Sequence, residues 1–172
     1  MIKELKEAVT EATIKMGPCV AAVLLGYGLC GNALSNLEDL MSGVGAPVFI
    51  PMDEDHPVDD CVGLIIGGRE KYYEAQCQVA GTMFMNSGFT RHWKQMLQKL
   101  CGGRLDPVIS KRLLSNYERS LLLPTCVLSQ QEMASNIREF NEMFGLRTEV
   151  LPGTLEILEK AWARAKACLR PL

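Results

Sequence analysis

Residues 19–41, CVAAVLLGYGLCGNALSNLEDLM, read as an apolar run, a glycine-rich turn and an amphipathic stretch. The run 19–25 is almost continuously apolar, as a strand buried on both faces requires. Asn32 opens 32–41, where Leu34, Leu37 and Leu40 recur at helical spacing, and an asparagine in that position caps a helix. Strand, turn and helix in this order begin a parallel α/β fold, because a parallel strand reaches its neighbour only through a crossover.

The alternation continues outward. APVFIPM (46–52) reads as a second strand. VDDCVGLIIGGREKYYEAQCQ (58–78) reads as a helix capped by Asp59 or Asp60, with Gly67-Gly68 its weak point. GTMFMNSG (81–88) is a third strand ending in a turn, and 89–100 a helix with Thr90 as cap. A further helix lies near 108–118, and RSLLLPTCV (119–127) is a fourth strand. In 129–145 Ser129 and Glu132 make a capping box and Gly145 a stop. LRTEVLP (146–152) is a fifth strand and 154–169 a last helix. The expectation is one α/β domain over 1–172: a three-layer, mostly parallel, Rossmann-like sheet of about five strands with helices on both faces.

Composition narrows the function. The 172 residues are 48% hydrophobic with a net charge of −2. That excludes a disordered chain, and no basic stripe points to nucleic acid. No apolar run reaches the ~20 residues of a membrane span, and the charged, amphipathic start has no secretion-signal core. Neither nucleic acid nor membrane is expected as a partner. Seven cysteines, an odd number without any C-x-x-C, fit a reducing cytoplasm and not a disulfide framework. Cys19, Cys77, Cys101, Cys126 and Cys168 read as small core residues.

Ligands of an open parallel sheet bind beyond the carboxyl ends of its strands. There the sequence puts Tyr27, Cys30 and Asn32 after the first strand, and Asp53, Asp59, Asp60 and Cys61 after the second. Asn86, Ser87 and the Arg91-His92 pair follow the third, and Thr125 and Cys126 the fourth. Two chemistries compete. In one, Cys30 and Cys61 with Asp59 and Asp60 hold zinc, iron or a corrinoid cobalt, since soft thiolates select such metals. Its metal-free form makes Cys30 a nucleophile beside a helix N-terminus, with His92 as base. In the other, Gly26-x-Gly28-x-x-Gly31 cradles a pyrophosphate and Asp53, 25 residues after Gly28, holds a ribose. Tyr27, Asn32, Asn86 and Ser87 stand with these glycines as cofactor-binding candidates. Plain readings stay beside both: Cys30 as a small turn residue, Cys61 in the first turn of an apolar helix, His56 solvated in DEDHPVDD, and His92 on a helix surface.

LLGYGLCGNAL, VFIPMDEDHPVDDCVGLIIGGREKYYE and GTMFMNSGF together resemble the domain of unknown function 1638 family. Its pattern is a GYGLCGN turn, here Gly26 to Asn32, and a P-R-x-H-D-C segment, here ending Asp59-Asp60-Cys61. An LLLGSxExY run follows, matched by Gly67 to Tyr73, and a GTYYLTPGW strand and turn, matched by Gly81 to Phe89. Asp59 replaces the family's histidine, and Asn86-Ser87-Gly88-Phe89 replaces its T-P-G-W. The family's earlier strand, with a cysteine and a Leu-His pair, has no counterpart, so a shortened relative with altered chemistry is expected. The resemblance implies an origin among anaerobes and methanogens, with genes near corrinoid-dependent methyltransferases. It thereby implies a corrinoid or methyltransferase protein as partner. A sheet edge left by the missing strand would favour a homo-oligomer or an accessory, non-catalytic role.

Overall fold

The computed structural model describes residues 2–17, 20–30, 44–104 and 106–169. The expected helix at 32–41, with Gly31, Asn32 and Cys19, lies outside the described residues. Along the chain run α1 (Ile2–Met16), β1 (Val23–Leu24), β2 (Val48–Phe49), β3 (Met52–Asp53), β4 (His56–Pro57), α2 (Cys61–Ile66) and α3 (Arg69–Gln78). Then come β5 (Thr82–Met85), α4 (Ser87–Leu100), α5 (Pro107–Leu113), β6 (Arg119–Leu122), α6 (Gln130–Phe144), β7 (Arg147–Val150) and α7 (Glu156–Cys168). Contacts divide the chain into two compact units, Met1–Arg69 with Leu155–Leu172, and Glu70–Thr154.

In the first unit β1 and β2 pair in parallel, Val23 opposite Val48 and Leu24 opposite Phe49. Val9 of α1, Leu25 and Val44 make a small core with Val23, Val48 and Ile50. The next strands form an antiparallel hairpin, Met52 opposite Pro57 and Asp53 opposite His56. Its two-residue turn holds Glu54 at φ 56°, the positive φ that such turns demand. The expected helix over 58–78 is two helices. Asp60 caps α2, its Oδ1 accepting from Val62 N and Gly63 N at 2.8 Å each. Gly67 then ends α2 in the left-handed region at φ 99°, and Gly68 follows at φ 104°. Two successive residues at positive φ stop a helix, so the double glycine breaks this one outright.

The second unit is built on a three-stranded sheet in the order β5-β6-β7, all parallel. Alternate residues serve opposite faces. Met83, Met85 and Leu122 join Trp93 and Leu97 of α4 and Met133, Ile137 and Phe140 of α6 in the main core. On the other side Phe84 stacks on Tyr72 of α3, ring centroids 4.7 Å apart. Arg119, 3% exposed, donates from Nε to Thr82 Oγ1 at 2.7 Å and from Nη2 to the Ala75 carbonyl at 2.6 Å. Its Nη1 pairs with Glu149. Three acceptors fixed by three different elements are what permit a buried guanidinium here. α6 has the expected ends: Ser129 and Glu132 exchange the capping-box bonds and Gly145 closes it at φ 69°.

The chain is thus mixed helix and strand, with pairing mostly parallel, as the alternation requires. A single sheet of five strands is not what its hydrogen bonds draw. Among the described residues the strands form sheets of two, two and three. Pro47 and Pro51 bracket β2, and proline donates no ladder hydrogen bond, so the 46–52 strand is cut to its middle and the chain turns into the hairpin.

Candidate functional site

The opening turn is defined by what it touches. Leu29 N donates to the Val58 carbonyl at 2.8 Å and Cys30 N to the Asp59 carbonyl at 2.7 Å. These two bonds lay the turn along the segment that enters α2. Cys30 is held there at φ 47°, left-handed backbone that a non-glycine residue adopts only under constraint. The thiols of Cys30 and Cys61 are both exposed. The turn that ends in Cys30 and the segment that leads to Cys61 touch through their backbones.

Gly28 accounts for that meeting. A Cβ on it would stand 2.5 Å from both Cα and C of Asp60 and 2.7 Å from its N. The glycine therefore admits another stretch of this chain, the place a pyrophosphate takes in a dinucleotide fold. A Cβ on Gly26 would meet only Leu158 Cδ1, at 3.6 Å, an ordinary contact. Asp53 is also engaged: its Oδ2 accepts from Arg69 N at 2.7 Å, and Gly68 is packed against the same carboxylate. Two of the elements the nucleotide reading needs are occupied by the protein itself.

The metal reading loses ligands in the same way. Asp60 Oδ1 is committed to the α2 cap, where it satisfies the donors that would otherwise favour a thiolate. Asp59 gives Cys30 its backbone carbonyl, a bond that does not involve its carboxylate. His56 and Asp55 pair at 3.3 Å in solvent at the hairpin tip, the solvated reading of that loop. Among the described residues no three of His, Cys, Asp and Glu gather as a metal would need, so they do not fit a closed zinc or iron site.

The family model described as Protein of unknown function (DUF1638) matches residues 1–162. The chain belongs to the DUF1638 family. No curated protein and no solved structure matches it. The GYGLC turn and the Asp-Asp-Cys entry to α2, two stretches on which the likeness rested, are in this DUF1638 chain the two sides of one backbone contact.

Residues predicted after the third strand lie in the second unit. Asn86, and not Thr90, caps α4: its Oδ1 accepts from Phe89 N at 2.7 Å. A β-region φ of −87° with ψ 171° lets Asn86 reach forward, whereas Thr90 is already helical and buried. Ser87 is the first residue of α4, and its carbonyl accepts from Thr90 Oγ1 at 3.1 Å. His92 sits at a kink in α4, φ −124° and ψ 15°, with its side chain exposed. It lines a cleft of about 350 Å³ between α4 and α6 that includes Asn136 and Glu139. Those two α6 residues carry no sequence signal toward His92, since the pairing depends on how the helices cross.

The cysteines reverse their expectation. Cys77, Cys126 and Cys168 are exposed, and Cys101 is half-buried with Sγ 3.3 Å from Ser110 Oγ. Cys126 lies in the short turn bridged by Thr125 and Leu128, past the end of β6, so the apolar character of 119–128 does not bury it. No described helix is long and apolar enough to cross a membrane.

Proposed function

We propose that this DUF1638 protein binds a small thiophilic ligand at the rim of its first unit, where residues 28–30 meet 58–61, with Cys30 and Cys61 as the contacting groups. The observation that carries it is the pair of backbone hydrogen bonds from Leu29 and Cys30 to Val58 and Asp59. They lay the turn that carries Cys30 against the segment that leads into Cys61, 31 positions on in sequence, and both cysteines are exposed. The constrained φ of Cys30 supports the reading, since strain in a non-glycine residue concentrates at working sites. Two exposed cysteines supply the soft donors of this site, and soft, polarisable partners are what sulfur selects. The corrinoid link implied by the family resemblance names one such partner, a cobalt corrinoid.

A trivalent arsenical tests the site. Phenylarsine oxide condenses with two neighbouring thiols to a cyclic dithioarsonite and one water. With Cys77, Cys126 and Cys168 replaced by serine, the protein should retain one arsenical per chain against excess monothiol. Cys30→Ser and Cys61→Ser should each abolish retention. Retention undiminished in both variants, or none in the parent, refutes the proposal. The same variants, titrated with a cobalt corrinoid and followed in the visible spectrum, decide that ligand separately.

A further inference from the structure

β7 is an edge of the second unit's sheet. Arg147 N donates to the Glu118 carbonyl at 3.1 Å and Leu151 N to the Leu122 carbonyl at 2.9 Å, so the odd-numbered residues of β7 turn their backbone groups toward β6. The backbone groups of Thr148 and Val150 therefore point away from it. Among the described residues no strand pairs with that side, and Arg147, Thr148 and Val150 are exposed. Unpaired N–H and C=O groups along an edge are a template for another strand. Thr148 is also held ready: its Oγ1 accepts from Asn141 Nδ2 of α6 at 2.8 Å, which fixes the side chain and leaves the backbone groups open.

The residues of this edge choose their own complement. Two copies of one edge related by a twofold axis run antiparallel. Outward residues must face outward residues, so only alternate registers are open. A register centred on Arg147 sets arginine against arginine, and one centred on Glu149 sets carboxylate against carboxylate; like charges directly opposite are unfavourable. A register centred on Val150 puts Thr148 opposite Pro152, which has no N–H to give. Centring on Thr148 avoids all three. It sets threonine opposite threonine and Arg147 opposite Glu149 of the other copy, twice by symmetry, and both kinds of pair are favourable across strands. The two threonines exchange N–H to C=O bonds, and each Val150 N–H meets the facing Leu146 carbonyl. Within one chain Arg147 Nε already donates to Glu149 Oε1 at 2.7 Å, while buried Arg119 holds Oε2. On pairing, the other copy's Arg147 takes the place of the chain's own on Oε1, so no charge loses its partner.

We infer that β7 pairs antiparallel with β7 of a second copy of this chain, centred on Thr148, and so joins two three-stranded sheets across a twofold axis. Four residues a side make a small contact, so the dimer is weak and forms as concentration rises. The inference is independent of the thiol rim, and either stands without the other.

The test uses the full chain under reducing conditions. Analytical ultracentrifugation from about 1 to about 500 μM should show a monomer passing to a dimer, as a weak interface implies. Residue-resolved amide exchange over the same range locates the contact without any substitution. The Thr148 and Val150 amides should slow as concentration rises, whereas those of Arg147 and Glu149, which face β6, should not change. Arg147→Glu puts like charges opposite each other at two symmetry-related places and should weaken association at least about tenfold, while Arg147→Lys should keep it within a few-fold. Far-ultraviolet circular dichroism confirms that both variants are folded. A monomer throughout the range overturns the inference. So does a dimer whose Thr148 and Val150 amides exchange as they do in the monomer, and so does association undiminished in a folded Arg147→Glu variant.

Discussion

Replacing Gly28 by alanine adds one methyl group, and the structure fixes where it goes. Neither Gly26 nor Gly28 has a left-handed φ, so alanine suits the backbone conformation at both and only space decides. At Gly28 the new carbon would overlap the backbone of Asp60, with three atoms at 2.5–2.7 Å. Backbone cannot rotate aside as a side chain does, so the turn must lift from 58–60. Overpacking of this kind costs up to about 3 kcal/mol. Lifting the turn also strains the hydrogen bonds of Leu29 and Cys30. At roughly 2–4 °C per kcal/mol for a chain this long, the full cost would lower the midpoint by about 6–12 °C, and a fall of at least about 2 °C is expected. Gly26→Ala meets Leu158 at an ordinary distance and should shift it by no more than about 1–2 °C, since its effect stays within about 0.5 kcal/mol. Urea and thermal unfolding of the three proteins, without ligand, measure the difference. The dinucleotide reading expects no such asymmetry, because there both glycines serve a phosphate that is not bound. Equal stability of the two variants refutes the argument that Gly28 exists to admit Asp60.

Three further outcomes follow from the same region and from the second sheet. Cys30 at φ 47° should accept glycine with stability held within about 1 kcal/mol, whereas Cys30→Val should cost about 2 kcal/mol, because a β-branched residue fits left-handed backbone poorly; urea midpoints decide. Asp60→Ala should lose about 1 kcal/mol, and Asp60→Asn should keep most of it while leaving arsenical retention intact, since the side chain acts as a cap and not as a ligand. Hydrogen bonds from Arg147, and then from Arg119, hold the Glu149 carboxyl below its ordinary range. A depressed folded-state value gives stability that is present above the unfolded value of about 4.3 and is lost as pH falls through the folded one. The urea midpoint should therefore drop on acidification below that value, and less steeply in Glu149→Gln.

Much of the fold was legible because it rests on local chemistry. Ser129, Glu132 and Gly145 mark the ends of α6 wherever the helix is placed, since each acts within four residues of itself. Gly67-Gly68 marked the weak point of the helix expected over 58–78, but not that two helices result. The cap of α4 was misplaced by four residues because Asn86 and Thr90 both fit a cap by type. What decides is the extended φ and ψ of Asn86, set by the strand it leaves. The strands were read too long for a related reason. An apolar run signals burial, and burial at Leu123 continues past the last paired residue of β6. The cysteines show the converse: an apolar neighbourhood in sequence left Cys126 exposed, because it falls on a turn.

The site was legible only as a list of residue types, and the contact that selects among them was not. Gly26 and Gly28 look alike in GYGLC, yet one lies against a leucine methyl and the other against the backbone of Asp60. Asp53 and Asp60 look like ribose and metal ligands in an acidic stretch. Both instead accept backbone N–H groups, Asp53 from Arg69 and Asp60 from Val62 and Gly63. A carboxylate oxygen so engaged is held in place by the backbone, and a ligand that took that oxygen would give up about 1.5–3 kcal/mol for each charged bond it broke. If Asp53 or Asp60 gave up those bonds to serve the ligand, binding would destabilise the chain around Arg69 or α2. Hydrogen exchange of the Arg69, Val62 and Gly63 amides, slowed or unchanged by phenylarsine oxide on this reading, would then be accelerated.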